Sequence, residues 1–306
     1  MKKIIYTTVI YPCKNFNSQI RDYLNSVNSQ TNKSFKLLLI LDRISKKDIS
    51  NYLKLYLCSN IKIKIFESFD NLNPIELRKK QINLSYKYKA DILIFSDFDD
   101  VVQNNRVEKI LKYINNYDFV FNDFHISDQS LNKIYEQSFF ARRKIPKIIS
   151  DFKKILHFNY IGYGSLAINL NSFDYNKLFI PKNILALDWY IVSKVLFYGG
   201  KGAAVYETCN YYRQHKNSLV GFNFKLNLRK LKFALKVKTL HYFHLKRLHH
   251  VFNDSYNIMI KLTKYIKKYG KKKYINIINS NFDTSNFCWW ENIKSVSELE
   301  NYETKS

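Results

Sequence analysis

Residues 92–105 read ILIFSDFDDVVQNN, an apolar run that passes directly into three carboxylates within four positions. The run is short and rich in β-branched and aromatic residues, which favours a buried strand over a helix. Asp97, Asp99 and Asp100 follow the carboxyl end of that strand. Ligands of open α/β sheets bind at this edge, and two carboxylates one residue apart suit a hard divalent cation. A surface turn that opens a helix is the alternative, because Asp is also favoured there.

Strand and helix patterns alternate on both sides of this stretch. Short apolar runs predict strands at residues 4–11, 36–41, 61–66, 92–95 and 118–121. Apolar residues at helical spacing lie between the first four runs, and Pro74 is placed to open one of these helices. Alternation of strands and helices implies a parallel sheet with crossover helices, so the sequence predicts an α/β fold.

The middle of the chain is less regular, but its glycines are informative. Gly162 and Gly164 are two of only seven glycines. They suggest a backbone that needs unusual torsion angles or approaches a ligand closely, and an ordinary turn is the alternative. A helix with Asp188 in its first turn is predicted to end at Gly199-Gly200, and a short strand at 201–205 follows.

The net charge is high, with 50 Lys and Arg against 25 Asp and Glu, or +25 in total. Such a surplus favours nucleic acid, anionic lipid or phosphorylated partners, although the lysines are spread along the chain. The four cysteines are far apart and lack metal-binding spacing, which fits a reducing cytoplasm. We expect a cytoplasmic protein, because no segment has the ~18 apolar residues of a membrane span and the first strand does not resemble a signal peptide.

Beyond residue 222 the composition shifts to Lys, Leu, His and aromatic residues. Residues 222–252 predict one amphipathic helix with basic flanks, and a second helix from Asp254 is predicted to stop at Gly270. Two roles remain open for the first helix. Its apolar face could pack on the preceding domain, or it could lie on an anionic membrane as a peripheral contact.

Several motifs occur in a fixed order along the first 221 residues. They are VIYPCKN (9–15), QT before the second strand (30–31), Asp42 at the end of that strand, DFDD (97–100), LDW (187–189), GG (199–200) and YRQHKNS (212–218). This succession resembles the family 2 glycosyltransferases with the GT-A fold, of the type that builds bacterial surface glycans. The order of the motifs is much more specific than any one motif.

The resemblance implies an architecture and an activity. Residues 1–221 would form a GT-A catalytic domain, an α/β fold with a mixed, Rossmann-like sheet and flanking helices. Its nucleotide-binding half would span 1–125 and its donor and acceptor half 126–221, while 222–306 would form a helical, basic extension. The implied reaction is inverting transfer of a sugar from a nucleotide-diphosphate sugar, with Mn²⁺ or Mg²⁺. The acceptor would be a glycan or a lipid-linked molecule in capsule or lipopolysaccharide synthesis.

The resemblance also implies roles for individual residues. Asp99 and His215 would hold the metal, which would neutralise the charge that grows on the leaving diphosphate. Asp188 would be the catalytic base that takes the proton of the acceptor hydroxyl; a helix-terminal Asp is the alternative. The residues expected to contact the nucleotide sugar are Pro12, Lys14, Asn15, Asp42, Arg78, Asp97 and Arg213.

Three positions depart from the family pattern. Leu187 replaces the usual Glu before Asp188, Lys14 replaces a frequent aromatic residue, and Arg43 replaces an Asp. These departures leave the nucleotide and the donor sugar open, but they do not change the implied class of reaction.

Two other classes of protein are alternatives. A phosphatase of the haloacid dehalogenase type would use Asp97 and Asp99 after an apolar strand, but it needs a second acidic pair that we do not find after Asp100. A nucleic-acid-binding protein would use the many lysines and tyrosines. The aromatic residues mostly fit apolar periodicities and no nucleic-acid-binding module is recognisable, so we expect no nucleic-acid partner.

Overall fold

The computed structural model describes residues 2–157, 159–173, 178–214, 225–282 and 289–303. The chain forms two compact units. The first comprises Met1–Ile155, Asn159–Lys182 and Leu187–Gln214, and the second comprises Leu156–Phe158, Asn183–Ala186 and His215–Ser306. The domain boundary expected between residues 221 and 222 stays a prediction, because 215–224 lie outside the described residues.

Among the described residues, nine strands form one mixed sheet in the first unit. They are β1 (Ile4–Ile10), β2 (Lys36–Asp42), β3 (Lys62–Ser68), β4 (Ile92–Phe95), β5 (Val101–Val102), β6 (Phe119–Ser127), β7 (Ile148–Ile149), β8 (Leu166–Asn169) and β9 (Gly202–Arg213). The sheet order is β3-β2-β1-β4-β8-β6-β9-β5, with β7 paired to β9. β1 to β4 are parallel, whereas β8 runs antiparallel to β4 and β6. The predicted α/β fold with a mixed sheet is confirmed.

Helices flank this sheet. They are α1 (Phe16–Asn28), α2 (Lys46–Tyr56), α3 (Pro74–Lys87), α4 (Arg106–Ile114), α5 (Phe139–Arg143) and α6 (Leu187–Phe197). α3 begins at Pro74 as predicted, because the Asn73 side chain caps its first turn and Glu76 bonds back to the Asn73 N–H. Apolar side chains of β1, β2, β4, α1 and α4 form one buried core that fixes the parallel strands.

The last strand is longer than the sequence indicates. The sequence predicts a strand that ends at Val205, whereas β9 continues to Arg213. β6 pairs with β9 on both sides of a register shift, where Asn122 faces Val205 and Asp123 faces Cys209. The three residues that bulge between these pairs interrupt the apolar pattern, so periodicity alone could not show the continuation. The extension pairs with β5 and places Arg213 beside the carboxylates that precede β5.

The candidate functional residues lie at one edge of the sheet. β1, β2 and β4 are parallel neighbours, so their carboxyl ends meet there. Tyr11–Asn15 follow β1, Asp42 ends β2, and Asp97–Asp100 follow β4. α3 follows β3 and therefore begins at the same edge, with Arg78 in its second turn. This is the edge at which open α/β sheets bind ligands.

The second unit is helical in its described part. Its helices are α7 (Leu228–Leu245), α8 (His250–Tyr269), α9 (Lys271–Ser280) and α10 (Val296–Glu303). The prediction of one helix over 222–252 is wrong, because the chain turns between α7 and α8. His249 is extended there, and its Nδ1 accepts a hydrogen bond from the Val251 N–H at 3.2 Å. No Gly or Pro marks this turn in the sequence. Gly270 ends α8 as predicted, with a φ of 94°.

α7 uses its apolar face for packing within the second unit. Leu231, Tyr242 and Leu245 are buried, and α7 packs along α8. This packing lies within the second unit. Packing on the preceding domain and contact with a membrane, the two roles that the sequence left open, both stay predictions. Within the described part of the chain, no helix is both long enough and apolar enough to span a bilayer.

Candidate active site

Three carboxylates lie in the loop that joins β4 to β5. The Ser96 N–H donates to the Thr7 carbonyl oxygen at 2.9 Å, which ties the start of the loop to β1. The Asp97 side chain keeps 32% of its surface exposed, so a ligand can reach it. Asp100 is buried. The Tyr11 ring closes one side of the loop by packing edge-on against the ring that follows Asp97, at 4.8 Å between centroids.

The loop concentrates negative charge in a poorly solvated place. Burial raises the pKa of Asp97 to about 6; Arg78 opposes this shift, and the nearby Asp99 adds to it. Burial, Asp99 and Asp97 likewise raise the pKa of Asp100. A cation stabilises like charges that repel each other in a buried site. Carboxylates with a raised pKa are therefore candidates for a functional site.

Arg213 fastens this loop from the end of β9. Its backbone N–H donates to Asp100 Oδ1 at 3.0 Å, and its Nε donates to the Asp99 carbonyl oxygen at 2.8 Å. Its Nη2 lies 3.1 Å from Asp22 Oδ2 on α1, and its Nη1 donates to the Gln129 carbonyl oxygen at 2.8 Å. The side chain is only 4% exposed, so its donors are engaged within the chain. The expected contact of Arg213 with a diphosphate stays a prediction.

Arg106 anchors the start of the loop through buried hydrogen bonds. It is the first residue of α4 and is fully buried. Its Nη2 donates to the carbonyl oxygens of Phe95 and Gly164, at 2.8 Å each. Its other nitrogens donate to neutral side chains of β1 and β6. This guanidinium thus joins the end of β4 to the turn at Gly164, and its charge acts to lower the pKa of Asp97.

Arg78 interacts with both Asp97 and Asp188. Its Nη2 lies 3.6 Å from Asp97 Oδ1. Asp188, in the first turn of α6, accepts hydrogen bonds from the Trp189 N–H at 2.8 Å and from the Asn159 side chain. Burial raises the pKa of Asp188, while Arg78 and these hydrogen bonds oppose the rise. The structure therefore brings Asp97, Arg78 and Asp188 into one charged cluster.

A short 3-10 turn that begins at Tyr163 packs on the same loop. The guanidinium carbon of Arg78 lies 4.2 Å from the centroid of the Tyr163 ring. A Cβ at Gly164 would lie 2.6 Å from Asp97 Oδ2, so only glycine leaves this carboxylate in place. The close approach expected of the glycine pair is found at Gly164, and its near neighbour is the Asp97 side chain. Gly162 has an ordinary φ of −77°.

The residues expected to lie along the nucleotide follow β1 and end β2. Pro12 and Lys14 are exposed at this edge, and the Asn15 side chain donates to the loop after β6 at 2.6 Å. Asp42 is buried, and its two oxygens accept hydrogen bonds from Arg43 at 3.1 and 2.9 Å. Their places at the ligand-binding edge agree with the expected roles, while the nucleotide contacts themselves stay predictions.

Part of the expected metal site lies outside the described residues, because His215 falls in the range 215–224. In the described part, no group of three or more His, Cys, Asp and Glu side chains is arranged to hold a metal ion. The carboxylates still fit a hard divalent cation, since oxygen ligands suit Mg²⁺ and Mn²⁺. Burial and the charges of neighbouring carboxylates raise the pKa of Asp97 and Asp100, and a bound cation would reduce the repulsion among them.

Solved glycosyltransferases have a similar arrangement of strands and helices. S. aureus TarS, residues 1–349, matches with a TM-score of 0.56 and 15% identity, over 84% of this chain and 71% of that chain. The mannosyltransferase PcManGT from Pyrobaculum calidifontis, solved with GDP-Man and Mn²⁺, matches with a TM-score of 0.53 and 10% identity, over 80% and 64% of the two chains. These likenesses define the class of fold, which is GT-A.

The sequence itself gives the family. The model described as Glycosyl transferase family 2 matches residues 8–172, more than half of the 306 residues. The chain therefore belongs to glycosyl transferase family 2. A curated relative, an uncharacterized glycosyltransferase from Methanocaldococcus jannaschii, is 24% identical over 139 residues, which are 44% of this chain and 47% of that protein. The match thus spans about half of that relative. Family membership favours the glycosyltransferase interpretation over the phosphatase, and the expected absence of a nucleic-acid partner stays a prediction.

Two residues of the site are absent from the sequence-based expectations. The position of Tyr163 between Gly162 and Gly164 is a sequence signal that could have indicated its place in the site. No sequence signal indicates Arg106. An arginine at the start of an amphipathic helix is usually exposed, and only the folded chain shows the carbonyl groups that it meets.

Proposed function

We propose that this protein is an inverting glycosyltransferase that transfers a hexosyl group from a nucleotide-diphosphate sugar to a glycan or lipid-linked acceptor in surface-polysaccharide synthesis. The observation that carries the proposal is the cluster of Asp97, Arg78 and Asp188 beside the carboxylates of Asp99 and Asp100. The ligands named for similar structures support it: TarS was solved with UDP-GlcNAc, and PcManGT with GDP-Man and Mn²⁺.

The carboxylate loop and Arg78 would receive the diphosphate end of the donor. Asp99 and His215 would hold Mn²⁺ or Mg²⁺, which supplies Lewis-acid stabilisation of the leaving diphosphate when bound. Asp97 would contact the ribose. Arg78 is only 28% exposed and already lies against Tyr163, so its guanidinium is oriented before a phosphate oxygen arrives.

Asp188 would serve as the base. In an inverting transfer the acceptor oxygen bonds to the anomeric carbon while the bond to the diphosphate breaks, and the acceptor hydroxyl gives up its proton. The Asp188 carboxylate takes this proton. Its raised pKa makes it a stronger base than an exposed Asp.

Nucleotide binding tests the proposal. Wild-type protein is titrated by calorimetry with UDP, GDP and a panel of their sugars, with Mn²⁺, with Mg²⁺ and with EDTA. We expect at least one nucleotide sugar to bind, and EDTA to weaken that binding. Asp99→Asn should lose the metal-dependent part. Asp254→Asn changes an exposed Asp of α8 and serves as the matched control. If no nucleotide diphosphate binds with or without metal, the proposal is wrong.

The proposed place of action is the cytoplasm, with peripheral contact at the inner face of the cell membrane, where lipid-linked acceptors would be found. Exposed basic residues on α7 support this contact. They include Arg229, Lys232 and Lys236, which share one face of the helix.

A further inference from the structure

The second unit contains a cavity of about 400 Å³ between α7, α8 and residues 291–298. This volume lies in the range of small-molecule sites in proteins. Ile258, Met259 and Leu262 of α8 supply an apolar wall, and Lys238 of α7 also lines the space. All the lining residues belong to the second unit, and none is a candidate residue of the active site.

Lys238 carries a charge that the chain does not fully satisfy. Burial lowers the pKa of its amine to about 8, although Glu298 and Glu291 act to raise it. Among the residues that the structure describes, the amine makes no hydrogen bond and no ion pair within 4.0 Å. Lys238 is half-buried in the wall of the cavity. An ammonium group in such a place without a partner attracts an anion.

Two other charged groups of the cavity, Glu298 and Lys294, have partners within the chain. The Glu298 carboxylate accepts hydrogen bonds from the Ser295 N–H and Oγ, at 2.7 Å each. It also lies 3.9 Å from the Lys294 amine. Burial and the charge of Lys238 lower the pKa of His157, so this imidazole is neutral at pH 7. Lys238 is therefore the cation that a ligand would meet.

We propose that this cavity binds a small monocarboxylic acid, with its carboxylate on Lys238 and its apolar body against Ile258, Met259 and Leu262. A single negative charge fits best, because Glu291 and Glu298 also face the cavity and would repel a dianion such as a phosphate monoester. The apolar wall selects a hydrocarbon body over a strongly hydrated one. This proposal does not depend on the proposed transferase reaction.

Thermal unfolding with three matched compounds tests the site. Octanoate should raise the melting temperature in a concentration-dependent way, because it binds only the folded chain. Methyl octanoate lacks the charge and octyl phosphate has too much, so both should stabilise less. Lys238→Met should abolish the response to octanoate. Lys236→Met changes an exposed lysine of the same helix and should keep it.

Chemical labelling of the wild-type chain needs no variant. Low doses of acetic anhydride acylate amines, and mass spectrometry reports each site. Lys238 should reach half of its full reactivity near pH 8, and octanoate at ten times its dissociation constant should slow its labelling about tenfold. Octanoate binding should weaken above pH 8, as Lys238 loses its charge. The titratable and charged groups that face Lys238 across the cavity are His157, Glu291, Lys294 and Glu298.

The outcomes separate the parts of the proposal. If octanoate neither stabilises the chain nor protects Lys238 from acylation, the site is excluded. Equal stabilisation by octanoate and its methyl ester, or a full response in Lys238→Met, would remove Lys238 as the anchor. Stronger stabilisation by octyl phosphate would overturn the assignment of a monoanion.

Discussion

Asp188 owes its chemical character to neighbours that act in opposite directions. The first turn of a helix favours a negative charge, and Arg78 favours it too. Burial disfavours the charge and prevails, so the pKa of Asp188 is raised. The two roles that the sequence offers for this residue are therefore compatible, since a carboxylate at a helix start can also be a base of raised strength.

Asp188→Asn separates these roles. The amide keeps the shape of the side chain but cannot accept a proton, so transfer from the donor found by calorimetry should fall by about 10²-fold or more. Nucleotide affinity should stay close to that of the wild type, because Asp188 is not expected to contact the diphosphate. Steady-state kinetics and calorimetry measure the two quantities. A variant with near-normal turnover would exclude Asp188 as the base.

The charged residues of the site differ in how far the sequence could predict them. Asp97 and Asp99 follow an apolar strand, and the topology of parallel sheets places such residues at the ligand-binding edge. Arg106 follows no such rule. Its partners are carbonyl groups of Phe95 and Gly164, 11 and 58 positions away, and no local pattern encodes their meeting. The hydrogen bonds from Arg213 to the carboxylate loop likewise depend on the extension of β9 beyond Val205, which periodicity does not reveal.

For single strands and helices, the local sequence pattern predicts correctly those elements whose signals lie within their own residues. β1, β2 and β4 are mostly apolar and buried, and α3 has its own cap and opening proline. β9 and the turn between α7 and α8 were not predicted correctly. The second half of β9 exists because β6 offers a partner beyond a bulge, and the turn is made by His249 without Gly or Pro. The extension of β9 depends on a strand far away in the sequence, and the turn lacks the residues that usually mark one.

The function of the turn that contains Gly164 can be tested by a substitution that adds one methyl group at this position. Gly164→Ala would place a Cβ 2.6 Å from Asp97 Oδ2 and 3.1 Å from the Asp97 backbone nitrogen. Asp97 must then move. We expect kcat/KM to fall by about 10²-fold, with a loss of about 1–3 kcal/mol in the free energy of unfolding from overpacking. Kinetics and urea unfolding measure these effects.

Gly162→Ala is the matched control for this substitution. Its Cβ would meet only Ser165 Oγ at an ordinary 3.6 Å, and its φ of −77° suits alanine. This variant should retain both activity and stability. Equal behaviour of the two variants would show that the close approach of Gly164 to Asp97 has no functional consequence.

For the whole molecule, the net charge of +25 raises the question of how the protein would bind an anionic membrane. α7 buries Leu231, Tyr242 and Leu245 within the second unit and leaves Leu228 and Phe243, near its two ends, 45% and 44% exposed. These two separate side chains offer little apolar surface for insertion into lipid. Three basic side chains, Arg229, Lys232 and Lys236, remain exposed on one side of it. Any attraction to an anionic membrane should therefore be electrostatic, and salt should screen it.

Co-sedimentation with vesicles distinguishes these modes of contact. We expect binding to vesicles that contain phosphatidylserine at low salt, little binding to neutral vesicles, and release at about 1 M salt, where the screening length is about 3 Å. Changing Arg229, Lys232 and Lys236 to Gln should weaken binding by up to about 10²-fold, at about 1 kcal/mol per residue. The matched control changes three exposed lysines of α2, Lys46, Lys47 and Lys54, and should weaken it less. Binding that persists at high salt would show insertion, and no binding at low salt would remove the membrane from the proposed function.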